Sequence, residues 1–393
     1  MYAPLFNTNI TMKKFLFIAF IAIFAAITAN AQNVLQIEES WQKTITVPES
    51  KDPLIDRLFT AWGKEFPGLY VNAFKQYKET GKAKNIEYVG EKFNFKVNYT
   101  PKTGNLDITS DKNNDLHLYA SVWEVRKDKI LLGVSVFEEM CAGALALYEY
   151  NSAKGILSPR PDLVNKVRDF VGEENAGTTC FLPYATTIDC HRIGEYKSIS
   201  IDDLLAEDAI KESIATEKEW QKTITVPELT DDITLDLFMA WCDEFPSWYS
   251  EAIDKIEETG KAKPIVWDGY KMDIKLFTSS LESLCMIGEY KDFKNLSHRY
   301  FLNFTTWTLK NGNPLFCVSV GEGRYTNMLA FYEYNASAGT LTPRPDVTDK
   351  AWDLLGDIKH KTFIDFYEEL NYIHYFDYDN NKTMKIPWDT NEF

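Results

Sequence analysis

Trp41-Gln42-Lys43-Thr44-Ile45-Thr46-Val47-Pro48-Glu49 recurs without a change as Trp220 to Glu228, 179 residues later. An identity of nine residues inside one chain reads as a tandem duplication, and the flanking sequence extends it in both copies. At the same spacing, Ala61-Trp62 with Glu65-Phe66-Pro67 returns as Ala240-Trp241 with Glu244-Phe245-Pro246, and Glu79 to Lys84 returns as Glu258 to Lys263. Beyond Gly269 the spacing lengthens by five residues. There Trp123 matches Trp307, Val134-Ser135-Val136 matches Val318-Ser319-Val320, and Tyr148 to Asn151 matches Tyr332 to Asn335. Pro159-Arg160-Pro161-Asp162 likewise matches Pro343-Arg344-Pro345-Asp346.

Each copy is large enough to bury its own core, unlike the short units of a solenoid. The expected organisation is an export signal over 1–31, a first domain over 32–200, a helical acidic linker over 201–216 and a second domain over 217–393. The linker reading rests on the acidic stretch Ile199 to Glu219, which lacks Gly and Pro and spaces Leu204, Leu205, Ile210 and Ile214 roughly as a helix does.

Within a copy, Leu54, Leu58, Phe59 and Trp62 recur at helical spacing. Pro67 breaks that run and predicts a second short helix ending at Gly81. The period then becomes two, as in Phe93 to Tyr99 and Leu116 to Leu118, with further strands over Lys129 to Phe137 and Ala144 to Tyr150. Asn311-Gly312 predicts a hairpin, as do Arg126 to Lys129, the turn after Tyr150-Asn151 and Asp379 to Asn381. Pro-Arg-Pro-Asp suits a turn into a helix capped by Asp162 or Asp346. Helices first and strands afterwards, without βαβ alternation, give an α+β fold: a tandemly duplicated domain whose N-terminal helices pack on one face of a mostly antiparallel sheet.

Lys13-Lys14, the apolar run Phe15 to Thr28 and Ala29-Asn30-Ala31 have the pattern of a cleaved signal peptide, with Met12 as a possible true start. The apolar run is too short to span a bilayer comfortably, so the mature chain is expected in the periplasm or medium with no transmembrane segment. A net charge of −16 and a pI near 4.9 argue against a nucleic-acid partner.

The six cysteines coincide at no position between the copies, so no inherited disulfide scaffold is expected; Cys180 and Cys190 are the pair placed to bridge a hairpin. Cys190 and His191 are neighbours on one strand and point to opposite faces, a poor thiol dyad. The five histidines lack zinc spacing. Asp111 to Asp115 and Asp377 to Asn381 begin like calcium loops but lack the glycine and the final glutamate, and read as polar turns. No cofactor or metal is expected.

The recurring chemistry is aromatic and acidic: Trp62 with Trp241, Trp123 with Trp307, Glu138 with Glu322 and Glu149 with Glu333. These residues suit cores and sheet faces. Exposed, they would form a platform for a glycan or a protein partner, one per domain. The expected function is therefore an exported binding or structural protein. The alternative is a secreted carboxylate-dependent hydrolase, such as a glycosidase, for which Glu138 and Glu149 would have to lie ~5 to 10 Å apart.

Overall fold

The computed structural model describes residues 31–393, apart from 89, 112–115, 127–128, 139–142, 173–178, 185, 193, 228, 231, 268, 281–282, 293–295, 324, 363, 367–371, 378–381 and 390–393. The expected signal peptide, Cys141 and most of both calcium-like stretches lie outside the described residues. Among the described residues no helix is long and apolar enough to cross a membrane. The chain divides into two compact units, Met1–Leu204 and Leu205–Phe393.

In the first unit, helix α1 (Ala31–Ser40) and the short strand β1 (Ile45–Thr46) precede helices α2 (Leu54–Glu65) and α3 (Leu69–Thr80). A meander follows: β2 (Ala83–Tyr88), β3 (Glu91–Thr100), β4 (Asn105–Ser110), β5 (Leu116–Arg126), β6 (Lys129–Glu138), β7 (Ala144–Asn151) and β8 (Ile156–Pro159). The sheet order is β1-β8-β7-β6-β5-β4-β3-β2 with antiparallel pairing. The chain thus starts at one edge, crosses to the other through α2 and α3, and returns hairpin by hairpin. Helix α4 (Pro161–Val171) and a small sheet of β9 (Cys180–Pro183), β10 (Thr187–Arg192) and β11 (Glu195–Ser200) complete the unit.

Helix α5 (Ile201–Glu219) carries the boundary between the units. The second unit then runs through β12 (Ile224–Thr225), α6 (Ile233–Glu244), α7 (Trp248–Thr259), β13 (Ile265–Trp267), β14 (Tyr270–Ser280), β15 (Ser283–Lys291), β16 (Ser297–Thr308), β17 (Pro314–Glu322), β18 (Thr326–Asn335), β19 (Thr340–Pro343) and α8 (Pro345–Leu355). A small sheet of β20 (Ile364–Phe366), β21 (Tyr372–Asp377) and β22 (Lys382–Pro387) closes it. Its main sheet has the order β12-β19-β18-β17-β16-β15-β14-β13, the same path as in the first unit.

Local chemistry places these elements. Phe66 ends α2 in a non-helical conformation ahead of Pro67, whose ring disfavours helix in the residue before it, and Gly81 closes α3 at φ 72. Phe245 and Gly260 repeat both devices. The hairpins expected after Asn151 and at Asn311-Gly312 form, with Asn151 opposite Ile156 and Thr308 opposite Pro314.

Helices α2 and α3 cover one face of their sheet, as the pattern predicts, but the opposite face is covered as well. The central strands require this, because they are apolar on both sides. In β17, Phe316, Val318 and Val320 pack in a core with Phe238 and Trp241 of α6, while Leu315 and Cys317 face Trp352 of α8 and Ile364 of β20. The fold is α+β in three layers: helices, a mostly antiparallel sheet, and a helix with a smaller sheet. In the first unit the Trp123 ring lies against Gly133, where an added Cβ would sit 2.6 Å from the indole. Gly133→Ala is therefore expected to overpack this layer and cost ~1 to 3 kcal/mol, measured by urea unfolding.

Candidate functional site

The repeated segments meet in space. In the first unit, Trp41 and Gln42 of the first motif, Tyr148 of the Tyr-Glu-Tyr-Asn motif and Pro159-Arg160-Pro161 of the third line one cleft of ≈ 230 Å³. Glu38 and Glu39 from α1, Leu145 to Leu147 from β7, and Val164 and Asn165 from α4 complete its walls. Hydrogen bonds across the repeat hold it: the Tyr148 hydroxyl donates to the Trp41 carbonyl, and the Arg160 amide donates to the Leu147 carbonyl at 2.8 Å.

The arginine in the wall is held by two carboxylates. Arg160 donates from Nε and one terminal nitrogen to the two oxygens of Asp162, at 3.0 and 2.7 Å, and from its other terminal nitrogen to Glu149 at 2.6 Å. These bonds hold the Asp162 carboxyl below its usual range. Helix α4 is accordingly not capped by Asp162. Arg160 is its N-cap residue and Pro161 takes the first turn, where the fixed φ of proline suits a helix start.

In the same wall, Glu38 is buried. One carboxylate oxygen accepts the Leu145 amide at 2.7 Å, and both accept from Arg168, with Nε at 3.0 Å. Burial raises the Glu38 carboxyl and the guanidinium opposes that rise. Glu38 stands three residues before the first motif, where Glu217 stands before the second. Glu217 accepts the Leu329 amide at 2.7 Å, but its other donor is the Trp352 indole at 3.0 Å, with His360 Nδ1 at 3.8 Å. With an indole in place of the guanidinium, burial pushes Glu217 up to about 8.

The four tryptophans expected as platforms are buried: Trp62 is 3% exposed, Trp241 0%, Trp123 3% and Trp307 8%. Trp62 and Trp241 pack on the helix side with Phe59 and Phe238, and Trp123 and Trp307 lie in the opposite layer, where Trp123 Nε1 donates to the Tyr184 carbonyl at 2.6 Å. None presents a ring face to solvent. Helical spacing through Leu58, Phe59 and Trp62 was the signal for this burial.

The carboxylates separate as well. Glu149 lies opposite Leu131, whereas Glu138 ends β6 seven residues further on, its side chain outside the described ones. At ~3.3 Å per residue the backbones stand ~23 Å apart along the strand, beyond the reach of a glycosidase pair. Glu333 and Glu322 are separated in the same way, with Glu333 opposite Leu315. Glu149 and Glu333 brace an arginine: Arg344 bonds Glu333 and Asp346 as Arg160 bonds Glu149 and Asp162. Glu322 pairs across strands with Tyr300, whose hydroxyl is raised by burial and by Glu322.

Cys180 and Cys190 are both buried. Cys180 stands opposite His191, and Cys190 opposite Phe181, so the two cysteines face opposite sides of the small sheet. This register overturns the expected bridge. Non-reducing peptide mapping is expected to find the Cys180 and Cys190 peptides unlinked to each other; a peptide joining these two would contradict the register.

No family model, curated protein or solved structure matches this chain.

Proposed function

We propose that the mature chain is an exported binding protein descended from a tandem duplication, and that the first unit's cleft takes a small hydroxylated group, one sugar residue of a glycan. The duplication is supported by the recurring motifs and the shared strand order. The observation that carries the ligand reading is the half-buried Trp41 beside Glu39, Gln42 and Asn165, three solvent-exposed polar side chains around one cleft. An indole offers a stacking surface for the C–H face of a sugar ring, and a carboxylate with two carboxamides supplies acceptors and donors for its hydroxyls. At ≈ 230 Å³ the cleft is smaller than the ~300 to 1,000 Å³ of pockets for drug-sized ligands, which suits one ring.

The second unit departs at these positions. Trp220 is only 5% exposed, Lys218 stands for Glu39, and Asp349 stands for Asn165. On this reading the second unit supports and the first binds.

Thermal unfolding of the mature chain against a monosaccharide panel tests the proposal. A bound sugar at 100 times its dissociation constant adds ~2.7 kcal/mol and raises the midpoint by roughly 5 to 10 °C. Trp41→Ala and Asn165→Ala are expected to remove that rise, and Trp220→Ala to leave it. A panel without any shift, or a shift indifferent to Trp41 and Asn165, would refute the cleft as a sugar site.

A further inference from the structure

Away from the cleft, the first unit carries a second constellation on the sheet face opposite α2 and α3. Asp107 on β4 and Tyr119 on β5 are direct cross-strand partners, so their side chains stand side by side on that face. The small sheet covers this face as far as Tyr184, just beyond β9. The Tyr184 backbone is fixed there: its amide donates to the Thr187 carbonyl at 2.9 Å, and its carbonyl accepts from Trp123 Nε1 at 2.6 Å and from Ser121 Oγ at 3.3 Å. Its ring, 44% exposed, meets Tyr119 at 6.5 Å and 65°. Two aromatic walls thus meet at a steep angle beside a carboxylate. Asp107 is itself oriented, one oxygen accepting from Thr109 Oγ1 at 2.8 Å and the other from Asn98 Nδ2 at 2.9 Å.

We propose that Asp107, Tyr119 and Tyr184 form a site for an organic ammonium group, the headgroup of a lysine side chain or of a quaternary amine. The π faces of two tyrosines and one carboxylate are the chemistry that recognises such a cation. A hydroxylated ligand is served less well, because the donors nearest Asp107, on Asn98 and Thr109, are turned onto the carboxylate. Both tyrosine hydroxyls are raised by burial first, then at Tyr119 by Asp107 and at Tyr184 by Asp189 ahead of Asp107, so both rings stay neutral beside the carboxylate.

The second unit lacks the constellation. By strand pairing, Asn303 takes the place of Tyr119 and Cys285 that of Asp107. The cage therefore belongs to the first unit and is independent of the sugar cleft, which is built on α1, β7 and α4.

NMR titration of the mature chain with tetramethylammonium chloride and, separately, with N-acetyl-lysine methylamide tests the proposal. Sodium chloride at matched ionic strength and neopentyl alcohol, the uncharged isostere, are the controls. The expected result is a saturable shift of the Tyr119 and Tyr184 ring signals with at least one ammonium probe and with neither control. Asp107→Asn and Tyr184→Ala should each weaken it about tenfold, and Tyr184→Phe, which keeps the ring, should weaken it far less. Should Asp107→Asn unfold, Tyr184→Ala against Tyr184→Phe carries the same comparison. An equal response to neopentyl alcohol, a response unchanged in Asp107→Asn, or no saturable shift from either ammonium probe would overturn the site.

Discussion

Replacing Arg168 by leucine is expected to destabilise the first unit by ~3 to 5 kcal/mol at neutral pH, because it strands Glu38 in the core. Glu38 and Arg168 are both buried, at 7% exposure each, and the guanidinium supplies two of the three hydrogen bonds to the carboxylate. Without it, only the Leu145 amide remains as a donor. The carboxyl would then bind a proton to escape its charge, as Glu217 does beside an indole. The penalty should accordingly grow as pH rises. Adding Glu38→Gln to Arg168→Leu removes the orphaned charge and should recover a large part of the loss. Urea unfolding of the single and double variants, followed by a probe confined to the first unit, gives the comparison. Equal stability of the single and double variants would show that the pair carries no buried charge.

The second unit is expected to lose stability as pH rises, and Glu217→Gln to abolish that loss. Glu217 would ionise at 4.5 if freely exposed to water, and burial moves it to about 8 in the folded chain. Between those values the unfolded chain has released a proton that the folded chain keeps, so each step upward in pH favours unfolding. The stabilising contribution is complete below about 4.5 and disappears as pH passes through about 8, at up to ~1.4 kcal/mol per pH unit. His360 runs the other way. Burial holds its imidazole below 6.5, so below that value its titration adds stability as pH rises and partly hides the Glu217 trend. Within this cluster, the window from about 6.5 to 8 belongs to Glu217. Glutamine keeps an oxygen to accept from Leu329 and Trp352 and cannot ionise there, so its variant should be flat across that window in urea titrations at stepped pH. A wild-type second unit already flat between those values would contradict a protonated Glu217.

These effects show which parts of the chain were legible in advance. The two helices around Pro67, the meander and the hairpins follow from period and punctuation, which are local. The recurring motifs were visible too, but not that Trp41, Tyr148 and Arg160 meet at one cleft, since β7 and β8 bring them together across more than a hundred residues. Glu38 and Glu217 were written at equal distances before the two motifs, yet nothing in their neighbourhood announces burial. Their partners Arg168 and Trp352 sit on a helix far along the chain and differ in kind. Glu149 and Glu333 recur in the sequence as carboxylates, and in the fold each fixes an arginine. The second cover over the sheet was hinted at by doubly apolar strands such as Lys129 to Phe137, where strict alternation fails. Trp41 and Trp220 open the same nine-residue motif but differ in exposure, a difference the motif itself does not carry.

The claim that the first unit binds and the second supports is tested most directly by amide hydrogen exchange on the mature chain, with and without a mixture of glucose, galactose, mannose and N-acetylglucosamine. Sugar binding in the first unit's cleft should slow exchange at residues 38–42 and 159–165 and leave 217–221 and 343–349 unchanged. Slowing at 217–221 and 343–349 instead, or at neither pair of segments, would contradict it.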